Sequence, residues 1–140
     1  MSFLQSLEIS ASGLYAQRKR MDIIASNLAN IETTHTKKGG PYRRRMVVMS
    51  TKPVGDFDKV LTLQAEGVKI DDIVEDESPF KKIFNPSHPD ADKEGYLLKP
   101  NVDLVVEITN MLMARRVFEA NIAAIRSTKQ MALKALEIGR

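Results

Sequence analysis

The stretch LEISASGLYAQRKRMDIIASNLAN, residues 7–30, decides the fold. Leu7, Leu14, Met21 and Leu28 recur at every seventh position, and Leu4, Ala11, Arg18 and Ala25 take the alternate slots of the same stripe. An apolar beat of seven marks a helix whose stripe seats against another helix. A first helix is therefore expected from about Leu4 to Ala29. Ser10, Ala11, Ser12, Gly13 and Ala16 make one section of it slim. Glycine inside a helix costs about 1 kcal/mol relative to alanine, so this cluster points to close approach by a second helix.

A second stripe near the other end runs through Leu104, Ile108, Met111, Phe118, Ile122, Ile125, Ala132 and Leu136. Asn101 or Asp103 can cap the helix that carries it, and it is expected to reach about Ile138. Arg18 interrupts the first stripe, and Arg115 and Lys129 the second; such cations choose partners by demanding acidic counterparts. The expected fold is mainly α with a small β part. Long N- and C-terminal helices pair as a coiled coil around a small antiparallel β-rich middle. Residues 1–30 and 103–140 form the paired-helix domain, and residues 31–102 an extended linker and β-rich segment. The packing is assigned to Leu7, Leu14, Met21, Leu28, Ile108, Ile122, Ile125 and Leu136.

Between the helices the period is lost. Asn30 is expected to take the left-handed geometry that ends a helix, Thr33, Thr34 and Thr36 favour extended backbone, and Gly39-Gly40-Pro41 signals a turn. Strands are expected at 43–50, 60–64 and 67–74, with shorter ones at 80–84 and 95–99. In residues 85–102, NPSHPDADKEGYLLKPNV, Pro86, Pro89 and Pro100 remove backbone donors and fix φ, which makes a rigid loop.

A chain of 140 residues suits one domain with a modest core. It has no cysteine, which excludes disulfides and Cys-based zinc or redox sites. No apolar run approaches the roughly 20 residues of a membrane span. The start, MSFLQSLEIS, has neither a basic n-region nor an apolar h-region, so no cleaved signal is expected. The net charge of +3 hides blocks of +6 over residues 1–55, −7 over 56–107 and +4 over 108–140. Basic ends that meet acidic middles on adjacent subunits would set register and partner choice.

Three stretches carry a family resemblance. The first is LEISASGLYAQRKRMDIIASNLANIETTHTKKGGPYRR, with Asn27, Ala29-Asn30, Thr33 and the run Gly39-Gly40-Pro41-Tyr42. The second is His88-Pro89-Asp90-Ala91-Asp92, continuing through Gly95-Tyr96 to Pro100-Asn101-Val102. The third is ARRVFEANIAAIRSTK, residues 114–129. Together they resemble the rod proteins of the bacterial flagellar basal body, within the flagellar axial family and closest to its proximal-rod members. The resemblance spans essentially the whole chain, with least of the match at 51–76.

It implies terminal helices that line the inner layer of a helical tube, and subunits that polymerise with themselves and other rod proteins into a drive shaft across the periplasm. It also implies the basal-body base (MS ring and adaptor) as a partner, and export by the flagellar type III apparatus without a cleaved signal. Asn30, Thr33, Gly39, Gly40, Pro41 and Tyr42 are expected to bridge subunits. His88, Pro89, Asp90, Asp92, Tyr96, Pro100 and Asn101 are expected to set the entry into the second helix. The alternative from another class is a coiled-coil adaptor that binds a dissimilar partner and never polymerises.

Catalytic readings find little support. Asp90, Asp92, Glu94 and Gly95 match the first part of an EF-hand calcium loop, but its twelfth position is Asn101 rather than a bidentate glutamate. Asn85-Pro86-Ser87-His88 is close to the self-cleaving Asn-Pro-Thr-His of the flagellar export switch protein, yet the residues after His88 follow the rod pattern. His35 and His88, the two histidines, sit in no hydrolase or metal-spaced context. Lys37, Lys38 and Arg43-Arg44-Arg45 cluster beside Tyr42, but the acidic middle interrupts any phosphate track. The expectation is a non-enzymatic chain with no cofactor, no metal, no small-molecule substrate and no nucleic acid.

Overall fold

The computed structural model describes residues 3–53 and 66–138, and the strand expected at 60–64 lies outside them. Two long helices flank a small antiparallel β part. Helix α1, Phe3–Ala29, has 27 residues and helix α2, Leu104–Ile138, has 35, or about 40 and 52 Å at the helical rise. Neither contains proline, so neither loses a ladder bond to it. Asp103 caps α2: its carboxylate accepts the N–H of Val105 at 3.0 Å and of Val106 at 3.2 Å. Those donors have no partner inside the helix.

The end of α1 differs from expectation. Among the described residues only glycines have positive φ, so Asn30 is not left-handed. Its Nδ2 donates to Ser26 O at 2.8 Å and its Oδ1 accepts the Thr33 hydroxyl at 3.2 Å. A side chain that satisfies a terminal carbonyl removes the need for the left-handed turn.

The helices run antiparallel. Asn27 meets Glu107 at one end, and Gly13 faces Asn121 farther along. A Cβ on Gly13 would lie 3.0 Å from Asn121 Nδ2, so the slim section of α1 is where the helices close in. The beat of seven is real, but apart from Ile24 its buried phase is polar or small. Ser10, Ile24 and Asn27 are buried on α1, as are Glu107, Ala114 and Thr128 on α2. The hydroxyls stay satisfied inside the seam by bonding one turn back, Ser10 to Ser6 O at 3.0 Å and Thr128 to Ala124 O at 2.8 Å.

Strand β1, Arg45–Pro53, pairs antiparallel with β2, Glu66–Glu75, from Arg45 opposite Glu75 to Pro53 opposite Glu66. A bulge where Val48 and Met49 face Asp72 and Ile70 leaves Asp71 as the extra residue. Strands β3, Lys81–Phe84, and β4, Tyr96–Lys99, form a second ribbon. The first ribbon docks on α1, where the Ser12 hydroxyl accepts the Val68 N–H at 3.0 Å. Among the described residues the buried apolar core is only Ala16, Ile24, Leu97, Val102 and Ala114.

Candidate functional site

The start of β1 is the knot of the molecule. The Asn27 side chain, 1% exposed, pairs with both backbone groups of Arg45: Oδ1 accepts its N–H and Nδ2 donates to its carbonyl, each at 2.9 Å. The amide thereby extends the first rung of the ribbon onto α1. Its Oδ1 also accepts the Tyr42 hydroxyl at 3.0 Å, and its Nδ2 donates to Glu107 Oε2 at 3.1 Å. Every polar site of a buried amide is then used, as burial requires.

Glu107 is 0% exposed and takes the Arg44 Nε at 2.7 Å on its other oxygen. Arg44 also reaches Asp76 at 3.5 Å, and its N–H bonds Asn101 Oδ1 at 2.8 Å. Asn101 Nδ2 in turn holds Asp76 O at 3.0 Å and Ser78 Oγ at 2.9 Å. The Asp76 carboxyl is held below the usual carboxylate range, first by the Ser78 N–H and hydroxyl and then by Arg44. One short segment thus ties α1, α2, the end of β2 and the loop before α2.

The arginine run is spent on this knot. Arg43 lies over the Phe80 ring at 4.4 Å and donates to Asp76 O at 3.1 Å. Arg45 donates to Ser26 Oγ at 2.8 Å and Tyr42 Oη at 3.1 Å. Sequence reasoning missed Glu107 and the inward role of Arg44. The signal was a lone carboxylate inside LVVEITNMLM, where an unpaired charge has no place.

The two loops around the knot are joined. The Thr34 hydroxyl donates to Asp90 at 2.7 Å, and Lys99 pairs with Glu32. Tyr42 N–H bonds Thr33 O at 3.0 Å across a turn in which Gly39 and Gly40 have φ of 86° and 72°. Pro41 is half-buried beside it, and Pro89 is exposed. His88 Nδ1 accepts the Asp90 N–H at 3.1 Å. Asp92 accepts the N–H of Glu94 at 2.9 Å and of Tyr96 at 2.8 Å, so its carboxylate closes its own turn. Tyr96 packs edge-on to Phe84 at 5.3 Å, and Pro100 is buried. Among the described residues no group of three or more His, Asp or Glu is placed to hold a metal ion. No helix among them is long and apolar enough to cross a membrane.

The apolar stripes lie beside the polar seam. Leu7, Leu14, Met21 and Leu28 on α1, and Ile122 and Ile125 on α2, are half-buried. Ile108 and Leu136 are 45% and 71% exposed. The first turns of α2 are open on several sides, through Leu104, Val105, Val106, Leu112 and Met113. A helix apolar on all sides belongs in an interior, and the described residues supply none for it.

Comparison with known proteins matches these regions to two family descriptions. Residues 7–35 match "Flagella basal body rod protein", and residues 93–138 match "Flagellar basal body rod FlgEFG protein C-terminal". Among curated proteins, the flagellar basal-body rod protein FlgC of Bacillus subtilis is 44% identical over 151 aligned residues, covering 100% of both chains. That of Borreliella burgdorferi is 38% identical over 99% of this chain and 98% of its own. That of Salmonella typhimurium is 37% identical over 100% of both. With an open apolar helix pair at its ends and full-length relatives of one kind, the chain belongs to the flagellar basal-body rod proteins, in the FlgC family.

Proposed function

We propose that the chain is a structural subunit of the bacterial flagellar basal-body rod, polymerising with itself and other rod proteins into the shaft that transmits torque and encloses the export channel. The observation that carries this reading is surface left open. The chain exposes 10124 Å², whereas a compact monomer of its mass would expose about 7,300 Å². Much of the apolar part lies on α2, where neighbouring subunits have helices to set against it. The names of the full-length relatives point the same way, and the role is structural rather than catalytic. A non-polymerising adaptor is not favoured, because every curated relative described above is a rod protein.

The finer parts of the reading are a periplasmic position, contact with the MS ring and adaptor, and export through the flagellar type III apparatus without cleavage. The paired ends, 1–30 and 103–140, would form the inner layer, and the segment 31–102 would bridge neighbours. The test is recovery of a tagged chain, expressed at native level, with detergent-resistant basal bodies. A fixed ratio to other rod subunits is expected, with an intact mass for the assembled chain. A protein found free in the cytoplasm and absent from basal bodies would overturn the reading.

A further inference from the structure

Arg20 is a cation that the fold leaves unanswered. It is half-buried on α1, and among the described residues it makes no hydrogen bond or ion pair. It lines a cleft of about 380 Å³ between α1, β1 and the start of α2, together with Arg44, Arg45, Glu107, Val47 and Met49. Arg44 is met by Glu107 and Asp76. Arg45 bonds only the neutral oxygens of Ser26 and Tyr42. The Glu107 carboxylate is taken up by Arg44 and Asn27, so two guanidinium groups line a partly apolar cleft with no carboxylate of their own, and an incoming one is held there more strongly than in open water.

The complementary group stands on the other side of the same ribbon. Regular alternation would point Asp71 and Asp72 to opposite faces. The bulge at Asp71 breaks that alternation, and both carboxylates are exposed. Asp72 sits opposite Val48 and shares its face. Val47 and Met49, the neighbours of Val48, line the cleft. Knob and cleft thus look in opposite directions, and a copy cannot fill its own cleft. Among the described residues the cation paired on the knob is Lys69, 3.0 Å from Asp71 in an exposed pair. Such pairs contribute little and give way readily.

We propose that Asp71 and Asp72 of one copy seat in the Arg20–Arg45 cleft of the next. The proposal rests on the rod reading and names one contact within it. A head-to-tail contact of this kind that does not close on itself propagates as a helical filament. It also gives a physical address to the basic and acidic blocks of the sequence.

The chain has no cysteine, so a Val47→Cys, Asp72→Cys double variant reports the contact directly, Val47 lining the cleft on the face of the ribbon opposite Asp72. Basal bodies are isolated from cells carrying the tagged variant as the sole copy and mildly oxidised. Covalent dimers and higher multimers are expected from the double variant, and monomer from each single variant. Monomer alone from a double variant present in basal bodies overturns the contact and leaves the rod reading standing. Absence of the wild-type chain from basal bodies overturns the rod reading and the contact with it.

Charge reversal gives a second readout should the cysteines impair incorporation. Arg20→Glu is expected to lower recovery in basal bodies about tenfold or more, as loss of one strong contact does. Adding Asp72→Arg to the same chain, which again sets one carboxylate and one guanidinium on each side, is expected to restore it. Wild-type recovery of Arg20→Glu alone, or no restoration by the reversed set, overturns the contact.

Discussion

Glu107 carries a charge to a place on α2 where no water reaches it, and the fold answers with Arg44 at 2.7 Å and Asn27 at 3.1 Å. A buried pair contributes little net energy, but removing one partner strands the other. Arg44→Met, which strands the fully buried Glu107 carboxylate, is therefore expected to cost about 3 kcal/mol, read from urea denaturation midpoints. Replacing both Glu107 and Arg44 with methionine should cost far less, because no charge is then left unmet. Equal losses in the single and double variants would show that packing, rather than charge, is at stake. The capping carboxyl of Asp103 sets a pH dependence beside it. Its pKa is lowered chiefly by the Val106 N–H, with Val105 and Lys81 adding to this, and that of Asp76 is lowered through Ser78. A carboxyl with a lowered folded pKa contributes stability above its unfolded value, about 3.9, and loses it as pH falls through the folded one. Stability should thus be flat near neutrality and fall below about pH 4, and Asp103→Asn should make that fall shallower in acid unfolding followed by circular dichroism.

At the scale of elements, the helix pair closes on serine, glycine, asparagine and threonine rather than on leucine. Close approach is what the small residues provide, and the space beside Gly13 is already taken by Asn121. Gly13→Leu should push the helices apart and cost about 2 kcal/mol, as overpacking does. The loss should appear as a lower thermal midpoint with the β signal retained. Gln17 points the same way, since its Oε1 is buried without a hydrogen-bond partner. An unsatisfied acceptor costs about 1–3 kcal/mol, so Gln17→Met should stabilise the pair. The heptad period was legible from Leu7 to Leu28, but the phase was not. A stripe read from apolar letters finds the surface that water disfavours, whereas the intrachain seam was chosen by shape and by the Asn27 and Glu107 bonds.

For the whole molecule, the small buried core and open α2 predict a chain that is marginal alone and stable in company. In a dilute monomer, amide exchange should be faster in α1 and α2 than in the β1/β2 ribbon, because each helix leaves apolar surface in water. Slow exchange at both ends of a proven monomer would count against this. Leu14→Asp should leave the ribbon folded and block incorporation into basal bodies, read as lost motility in a strain carrying only that variant.

The sequence by itself determined the two terminal helices, the β part between them, the double-glycine turn and the family. Those features rest on period, turn chemistry and long matched stretches, which are local. The tertiary structure decided which phase of each helix is buried, that Arg44 turns inward to Glu107, that Asn30 ends α1 without a left-handed residue, and that a bulge at Asp71 leaves both Asp71 and Asp72 exposed. The buried phase and the inward turn of Arg44 depend on groups far apart in the chain, such as Asn27 and Glu107, meeting in space, while the ending of α1 rests on side-chain bonds between near neighbours. Burial and hydrogen bonding then choose among arrangements that the letters alone leave equal.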